Sequence, residues 1–381
     1  MRSRRLAPLL VLAILSGGAR AAKPSAAAPL AVAGRLADWQ LAHRDDSTLV
    51  SRFSDETRRP NSWEQATFWI GMTALADHLP ADRHIARAVM AMGEGEGWRP
   101  GVRPYHADDQ AIAQAYLWAA DHGAGADAIV PTRAHIDRIL ARPPQVGLAF
   151  YAGPRGIECE TRWCWADALF MAPPVWIALS RQTGDARYQR YALAEFRRTV
   201  EFLYDPAEHL LYRDSRFFER RDVDGRKEFW SRGNGWVFAS LARIIPMLPA
   251  GDPDRTWMEG LFQAMAAQLV TLQKPDGYWA PSLLAAEGSP PETSGTAFFT
   301  YGLAWGVKAG LLERSAYEPA ARRGWAALAR AIQPDGRLGY VQQVSDRPEQ
   351  VAPSDTQYYG TGAFLLAATA IADLTPARAS R

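Results

Sequence analysis

The stretch WCWADALFMAPP, residues 163–174, sets a single carboxylate in an otherwise apolar and aromatic segment. Its helical period predicts part of a helix over residues 163–182. An ionised Asp in such surroundings is costly unless a partner stabilises it or its pKa rises. Asp167 is therefore the first candidate for chemistry in this chain.

The composition of the 381 residues is that of an ordinary globular protein, with 48% hydrophobic and 22% charged residues. The length allows two domains or one large domain. A formal net charge of +2 and the lack of a Lys/Arg run beyond the N-terminus argue against a nucleic-acid partner. The 14 Trp, 13 Tyr and 14 Phe either stack on sugar rings or fill a large core.

The N-terminus has the pattern of a secretory signal over residues 1–21, with basic residues, a short apolar run and a small-x-small cleavage site. The apolar run is too short to span a bilayer, so we expect no membrane association after cleavage. This pattern predicts an exported, periplasmic protein. We expect a linker over 22–35, one domain over 36–375 and a tail over 376–381.

The chain has two cysteines, Cys159 and Cys164, and seven histidines. A spacing of five allows a disulfide only if the backbone between the cysteines is not helical, so we expect two free or buried thiols. The sequence contains no His-x-x-x-His and no Cys/His cluster, and we therefore predict neither a metal site nor a cofactor.

Helical periodicity and capping residues predict about twelve helices and almost no strands. Ser62 fits a capping box, Pro131 fits a first helical position, and Gly310 fits a helix end. The predicted helices cover residues 30–42, 62–79, 82–95, 108–122, 131–142, 163–182, 185–203, 232–247, 254–272, 293–311, 315–333 and 356–372.

Every second predicted helix opens with polar, aromatic and Gly-rich residues, whereas the others have the amphipathic pattern of outer helices. From Asp108 onward these openings recur at intervals of about 60 residues. The alternation predicts an all-α fold, an (α/α)6 barrel of six helical hairpins. The N-termini of its inner helices would meet at one mouth, where free N–H groups favour an anionic substrate.

Two carboxylates, Asp108 and Asp167, are expected to face each other across that mouth, an arrangement that suits glycoside chemistry. Either Asp108 or its neighbour Asp109 could instead serve as a helix cap. Arg232 lies between Trp230 and Trp236, where it could bind a carboxylate or act as a cation-π brace. Further hydroxyl groups at later helix starts are more often caps or core contacts than ligand contacts, and those considered are Ser294, Thr296 and Tyr359.

Five ordered stretches together resemble the unsaturated uronyl hydrolases of glycoside hydrolase family 105, the unsaturated rhamnogalacturonyl hydrolase type. The unsaturated glucuronyl hydrolases of family 88 are close relatives of that type. The resemblance covers nearly all of the predicted mature chain. The stretches are Ala107–Ile112, Trp165–Pro174, Trp230–Trp236, Glu292–Ala297 and Tyr359–Leu366.

The resemblance implies an (α/α)6 barrel and action on oligosaccharides that carry a C4=C5 double bond in a terminal uronic acid. It implies that Asp167 is the general acid/base, which protonates C4 and then helps water to add at C5. Asp108 or Asp109 would be the second acid. The residues expected to bind the unsaturated sugar or line its site are Trp230, Arg232, Trp236, His106, Trp165, Ser294, Thr296 and Tyr359.

Three other functions stay open from the sequence. An inverting glycosidase could use Asp108 and Asp167 as separate acid and base on a saturated acidic oligosaccharide. A non-catalytic periplasmic protein could bind acidic sugars, although a buried acid gains it nothing. A sugar epimerase would be expected to place a pair of histidines at the mouth, where only His106 is suitably positioned.

Overall fold

The computed structural model describes residues 27–45, 59–153, 156–285 and 289–375. The predicted signal peptide, the start of the predicted linker and the predicted tail lie outside the described residues. Helix α1 begins at Ala27, inside the segment predicted as a linker. No helix in these ranges is both long and apolar enough to cross a membrane.

Six inner helical segments form a closed ring, in which each packs against the next and the last packs against the first. Six outer helices surround them, so the predicted (α/α)6 barrel is confirmed. The inner helices are α2 Trp63–His78, α4 Ala113–Ala119, α6 Ala168–Met171 with α7 Pro173–Thr183, α9 Ser231–Ile244, α11 Thr293–Lys308 and α13 Tyr358–Asp373. The outer helices are α1 Ala27–Ala42, α3 Arg83–Gly95, α5 Val130–Ala141, α8 Ala186–Leu203, α10 Pro253–Leu272 and α12 Arg314–Arg330.

Burial separates the two rings as the sequence pattern predicts. In α13 every residue except Asp373 is buried, and in α11 only Trp305 and Lys308 are not. By contrast α8 buries one stripe of residues, spaced three and four apart, and shows charged residues to water. Inner helices therefore need apolar side chains all round, which is why they lack an amphipathic period.

The ring closes where α13 packs against α2, and two glycines allow this close approach. A Cβ atom at Gly71 would lie 2.5 Å from the carbonyl oxygen of Gly362. A Cβ atom at Gly362 would lie 2.1 Å from the carbonyl oxygen of Thr67. Larger residues at this seam would force the two helices apart.

Among the described residues, the strands form two short antiparallel hairpins. Strand β1 (Ala152–Gly153) pairs with β2 (Gly156–Ile157), with Gly153 opposite Gly156. Strand β3 (Tyr204–Asp205) pairs with β4 (Leu210–Leu211), with Tyr204 opposite Leu211. The first hairpin contributes Ile157, and the loop after the second contributes Arg213, to the pocket described below.

The helix predicted over 163–182 begins later than expected. Trp163 has a left-handed backbone with φ of 58°, and regular helix starts at Ala168. A break at Ala172 precedes Pro173, because proline cannot supply the N–H that would continue the first helix. The segment before Asp167 is thus a loop and not a helical turn.

The predicted free thiols are wrong, because Cys159 and Cys164 form a disulfide. A 3-10 turn over Glu158–Arg162 and the left-handed Trp163 fold the chain back. This brings the two Cα atoms to 5.5 Å, within the range that a disulfide bridges. The prediction assumed helical backbone at Cys164, and the loop removes that assumption.

The capping predictions have mixed outcomes. Ser62 precedes α2 but makes no side-chain capping hydrogen bond, so the predicted capping box is wrong. Pro131 lies in the first turn of α5, one residue after its start. Gly310 follows the end of α11 with φ of 75°, which confirms its predicted role as a helix end.

Candidate active site

A pocket of about 430 Å³ opens at the mouth where the inner helices begin. This volume suits a small ligand. Besides Asp167, its walls contain three other carboxylates, three arginines and three Trp or Phe rings. The lining residues are Trp63, Arg103, His106, Asp108, Phe150, Ile157, Glu160, Trp165, Asp167, Met171, Arg213, Arg216, Val344, Ser345 and Asp346.

Asp167 occupies the position just before α6, yet its carboxylate does not cap that helix. The residue is 9% exposed, and its Oδ2 atom is buried with no hydrogen-bond partner. Burial raises the pKa of Asp167 to about 6, against the opposing effect of Arg213 and Arg232, and the charge of Asp108 raises it further. The side chain can therefore hold a proton in mildly acidic solution and deliver it into the pocket.

Asp108 begins a 3-10 turn, Asp108–Gln110, that leads into α4. Burial raises its pKa, although His106 and Arg103 act in the opposite direction. Nδ1 of His106 lies 3.7 Å from Oδ2 of Asp108, and Nε2 lies 3.6 Å from Oε2 of Glu160. The imidazole of His106 thus bridges two pocket carboxylates.

Asp109 points away from the pocket and pairs with Arg103. Its carboxylate accepts hydrogen bonds from the backbone N–H of Arg103 at 2.6 Å and from Nε at 2.8 Å. These bonds hold the loop before α4. Of the two neighbouring acids left open by the sequence, the structure brings Asp108 to the pocket and gives Asp109 a structural partner.

Arg232 does not reach the pocket, in contrast to the prediction that it binds the substrate carboxylate. Its side chain is fully buried and donates to the carbonyl oxygens of Gln342 at 2.8 Å and Gln343 at 2.9 Å. The guanidinium lies 4.4 Å from the ring centre of Trp230 and 4.7 Å from that of Tyr359. Arg232 is therefore the cation-π brace considered as the alternative, because α9 is packed on every side.

The remaining predicted binding residues divide into two groups. His106 and Trp165 line the pocket, with ring centres 5.0 Å apart. The others are buried behind the wall and make structural contacts, so the prediction that they touch substrate does not fit their positions. These buried residues are Trp230, Trp236, Ser294, Thr296 and Tyr359.

Their contacts explain why they stay in the wall. The Oγ atom of Ser294 donates to Glu292 at 2.6 Å, and the Oγ1 atom of Thr296 accepts from the backbone N–H of Trp279 at 3.0 Å. Trp236 packs edge-on against Trp63, whose ring does line the pocket. These residues at the starts of buried helices therefore pack behind the residues that line the pocket and hold them in place.

Two arginines that the sequence analysis missed enter the pocket from the loop after β4. The Nε atom of Arg213 is buried without a hydrogen-bond partner, 3.7 Å from Oδ2 of Asp167. Arg216 is partly exposed, and its guanidinium lies 4.0 Å from the ring centre of Phe150. Buried Asp214 pairs with both arginines, at 2.7 Å and 2.8 Å.

The run Arg213-Asp214-Ser215-Arg216 was the available signal, but it lies outside the inner-helix openings on which the prediction relied. Asp214 holds both arginines and Asp346 holds Arg216 at 3.0 Å, so the two guanidinium groups are fixed beside Asp167, where a carboxylate can bind by charge-assisted hydrogen bonds. In the described ranges no group of three or more His, Cys, Asp or Glu side chains is arranged to hold a metal ion.

An (α/α)6 barrel with a buried, protonatable acid beside a second carboxylate in a sugar-sized pocket defines the glycoside hydrolase class of site. Comparison with known proteins agrees with that class. The model of Glycosyl Hydrolase Family 88 matches residues 32–375, and the chain belongs to this family. The chain is therefore a glycoside hydrolase, while the narrower family 105 resemblance is not confirmed.

Three similar proteins add detail. An unsaturated 3S-rhamnoglycuronyl hydrolase of Alteromonas sp. (strain LOR) is 41% identical, over 87% of this chain and 83% of that protein. A protein of the same name from Formosa agariphila is 36% identical, over 83% and 85% of the two chains. The structure of a family 88 glycosyl hydrolase from Bacteroides vulgatus superposes with a TM-score of 0.79 at 26% identity, over 92% and 100%.

Proposed function

We propose that this protein releases the terminal Δ4,5-unsaturated uronic acid from oligosaccharides produced by polysaccharide lyases. The observation that carries the proposal is the carboxyl group of Asp167. It is buried, has no hydrogen-bond partner on Oδ2, and has its pKa raised to about 6. A carboxylic acid with this raised pKa keeps its proton in mildly acidic solution, where it is suited to donate that proton to an electron-rich carbon.

The reaction begins when Asp167 donates its proton to C4 of the ring double bond, which leaves positive charge shared between C5 and the ring oxygen. Water then adds at C5 and loses a proton to the carboxylate of Asp167, which restores the acid. The resulting hemiketal opens, which makes C5 a ketone and leaves C1 as a hemiacetal that still carries the remaining sugar. That hemiacetal then collapses to an aldehyde and releases the sugar with a free hydroxyl group. The net change is the addition of one water molecule.

Arg213 takes over the role that the sequence analysis gave to Arg232. Its guanidinium lies beside Asp167 and lines the pocket, where the uronate carboxylate would pair with it. That carboxylate is attached to C5, next to the atom that receives the proton. Binding it at Arg213 would place C4 within reach of Asp167.

Asp108 and His106 form the opposite wall and would orient the attacking water or a ring hydroxyl by hydrogen bonds. The rings of Trp165 and Trp63 offer flat apolar surfaces for the sugar. The carboxylate of Asp108 is partly exposed in the pocket, where it can accept a proton or a hydrogen bond. We assign Asp108 as the second acid of the site.

The substrate's second sugar is proposed from the relatives. The two most similar proteins above carry the name unsaturated 3S-rhamnoglycuronyl hydrolase, so we propose a rhamnose-linked unsaturated uronate. This agrees with the rhamnogalacturonyl hydrolase type that the sequence resembles. We also propose that residues 1–21 direct export to the periplasm.

The test is the ultraviolet absorbance of the C4=C5 bond conjugated with the carboxylate, followed with the wild-type protein and Asp167→Asn. Substrates are lyase-generated disaccharides in which rhamnose, with or without a 3-sulfate, galacturonate or glucosamine follows the unsaturated uronate. We expect the wild type to remove the absorbance of a rhamnose-linked substrate and Asp167→Asn to leave it.

Unchanged absorbance with every disaccharide would overturn the proposal. Release of sugar from a saturated acidic oligosaccharide would then establish the ordinary inverting glycosidase in its place. Binding of the disaccharides without loss of absorbance would establish the non-catalytic binding protein.

A further inference from the structure

The far end of the barrel, opposite the mouth, contains two adjoining open pockets built from the C-terminal halves of the inner helices. A cavity of about 340 Å³ lies between α4, α7, α9 and α11. A smaller one of about 190 Å³ lies between α2, α9, α11 and α13. The two share Arg243, Tyr301 and Trp305 in their walls, so they adjoin around one guanidinium group.

Arg243 projects from the last turn of α9 into this space. Its Nε donates to the side-chain oxygen of Gln114 at 3.0 Å, and its guanidinium lies 6.0 Å from the ring centre of Phe170. Among the described residues no carboxylate lies within ion-pair distance of Arg243. Burial lowers the pKa of Arg243, while Tyr301 and Asp77 act in the opposite direction.

The acids around the far end are already bound to other donors. Asp77 accepts from the indole N–H of Trp118 at 2.9 Å. Asp121 accepts from the side-chain amide of Gln182 at 2.8 Å, and Asp373 lies 3.2 Å from the imidazole of His78. The guanidinium of Arg243 is thus the cation shared by both pockets, and no carboxylate among the described residues pairs with it.

Helix ends account for part of this arrangement, since the C-termini of inner helices carry partial negative charge that favours a cation. The partial charges of helix ends do not, however, supply the full negative charge that would pair with a guanidinium. A carboxylate does supply it, and it accepts two parallel hydrogen bonds from an arginine. Tyr301 and Trp305 supply ring surfaces beside it, as sugar-binding sites commonly do.

We propose that the far end of the barrel is a second binding site, which takes a carboxylate of monosaccharide size with its carboxyl group on Arg243. The volume of the larger cavity is sufficient for one sugar ring. Gln114 and Gln182 would hydrogen-bond its hydroxyl groups. This site is separate from the catalytic pocket and does not rest on the reaction proposed above.

The test uses D-glucuronate as the probe and D-glucose as the neutral control. Crystals soaked in glucuronate are expected to show the sugar at Arg243, with its carboxylate facing the guanidinium. Titration calorimetry with glucuronate should detect a class of binding sites that is not detected with glucose. Arg243→Met should weaken that class by at least about tenfold, which is the loss expected for a charge-assisted hydrogen bond.

Arg243→Met could also disturb the packing of α9, so a second variant fills the cavity without changing charge. Ala178 lines the larger cavity and is only partly buried, and Ala178→Phe should block the same class of sites. The inference would be overturned if soaked wild-type crystals showed no sugar density at Arg243. Binding that both variants leave unchanged, or that glucose matches, would overturn it as well.

Discussion

The chemistry of this site depends on one buried carboxyl group. Burial stabilises the protonated form of Asp167 relative to the ionised form, because water is excluded and Oδ2 has no hydrogen-bond donor, and the pKa rises to about 6. Arg213 reduces this effect but does not form a hydrogen bond with Asp167. Residue type alone indicated a candidate acid, whereas its neighbours set the pH at which it works.

The first prediction concerns the pH dependence of activity. Because Asp167 must carry its proton to start the reaction, kcat/KM should be constant in acid and fall as the pH rises through about 6. The measurement is the rate of absorbance loss from pH 4 to pH 9, in about half-unit steps. A rate that stays constant through pH 8 would contradict the assignment of Asp167 as the acid.

The second prediction concerns stability at the same residue. A carboxyl whose folded pKa of about 6 exceeds its ordinary 3.8 favours the fold at low pH and opposes it at high pH. The cost above pH 6 is about 3 kcal/mol. Asp167→Asn removes this cost, so thermal unfolding at pH 8 should shift upward while activity is lost, with little shift at pH 4.

The third prediction separates the two arginines. Arg213→Gln should lower kcat/KM by about a hundredfold, because a charge-assisted contact to the substrate carboxylate is lost. The unfolding temperature should fall less than in the control below, because Arg216 still pairs with the buried Asp214 when Arg213 is removed. Arg232→Gln is the matched control, and it should destabilise the protein, since it removes a buried brace between Trp230 and Tyr359. Equal losses of stability in the two variants would contradict this division of roles.

At the scale of elements, the loop before α6 determines where the acid lies. The disulfide closes a short loop that contains Glu160, a pocket residue, and ends three residues before Asp167. A helix through this segment, as periodicity predicted, would have left Asp167 in a regular turn. The 3-10 turn and the left-handed Trp163 place it instead at a helix start that faces the pocket.

The fourth prediction removes this cross-link with Cys159→Ser and Cys164→Ser together. The free energy of unfolding should fall by about 2 kcal/mol, the value expected for so short a loop. The value of kcat should fall more than the folded fraction does, because Glu160 and Asp167 are held less firmly. Reduction of the wild type with dithiothreitol should reproduce the effect, and full activity of the double variant would contradict it.

At the scale of the whole molecule, the barrel closes by packing the last inner helix against the first. The backbones of α2 and α13 approach so closely that no Cβ atom fits at the contact. The mouth exists because this closure aligns the starts of all six inner elements. The site therefore depends on a contact between Gly71 and Gly362, which are far apart in sequence.

The fifth prediction tests this closure. Gly362→Ala should destabilise the protein by about 1–3 kcal/mol, the usual cost of overpacking, because the added methyl group meets the backbone of Thr67. Gly34→Ala in α1 is the control, since no atom lies within 4 Å of its added Cβ. That control should be neutral or slightly stabilising. Chemical denaturation of both variants measures the difference.

The fold could be predicted from the sequence because burial on all sides and burial on one side leave different patterns in a helix. From the alternation of such helices we predicted the barrel and its mouth, and we identified Asp108 and Asp167 as candidate catalytic residues. The wall residues were mistaken for ligand contacts for the same reason. Trp230, Arg232 and Trp236 combine residue types typical of sugar sites, and their sequence does not reveal that other helices cover them.

Local sequence by itself determined which helices line the barrel, where they begin to within a few residues, and which acid is surrounded by apolar residues. Only the tertiary structure decided that Asp108 and not Asp109 faces the pocket, that Cys159 and Cys164 are joined, and that Arg213 lies beside the acid. Periodicity reports how much of a helix is buried, because neighbouring residues share that environment. The direction of one side chain depends on contacts with residues distant in sequence, and local patterns carry no record of them.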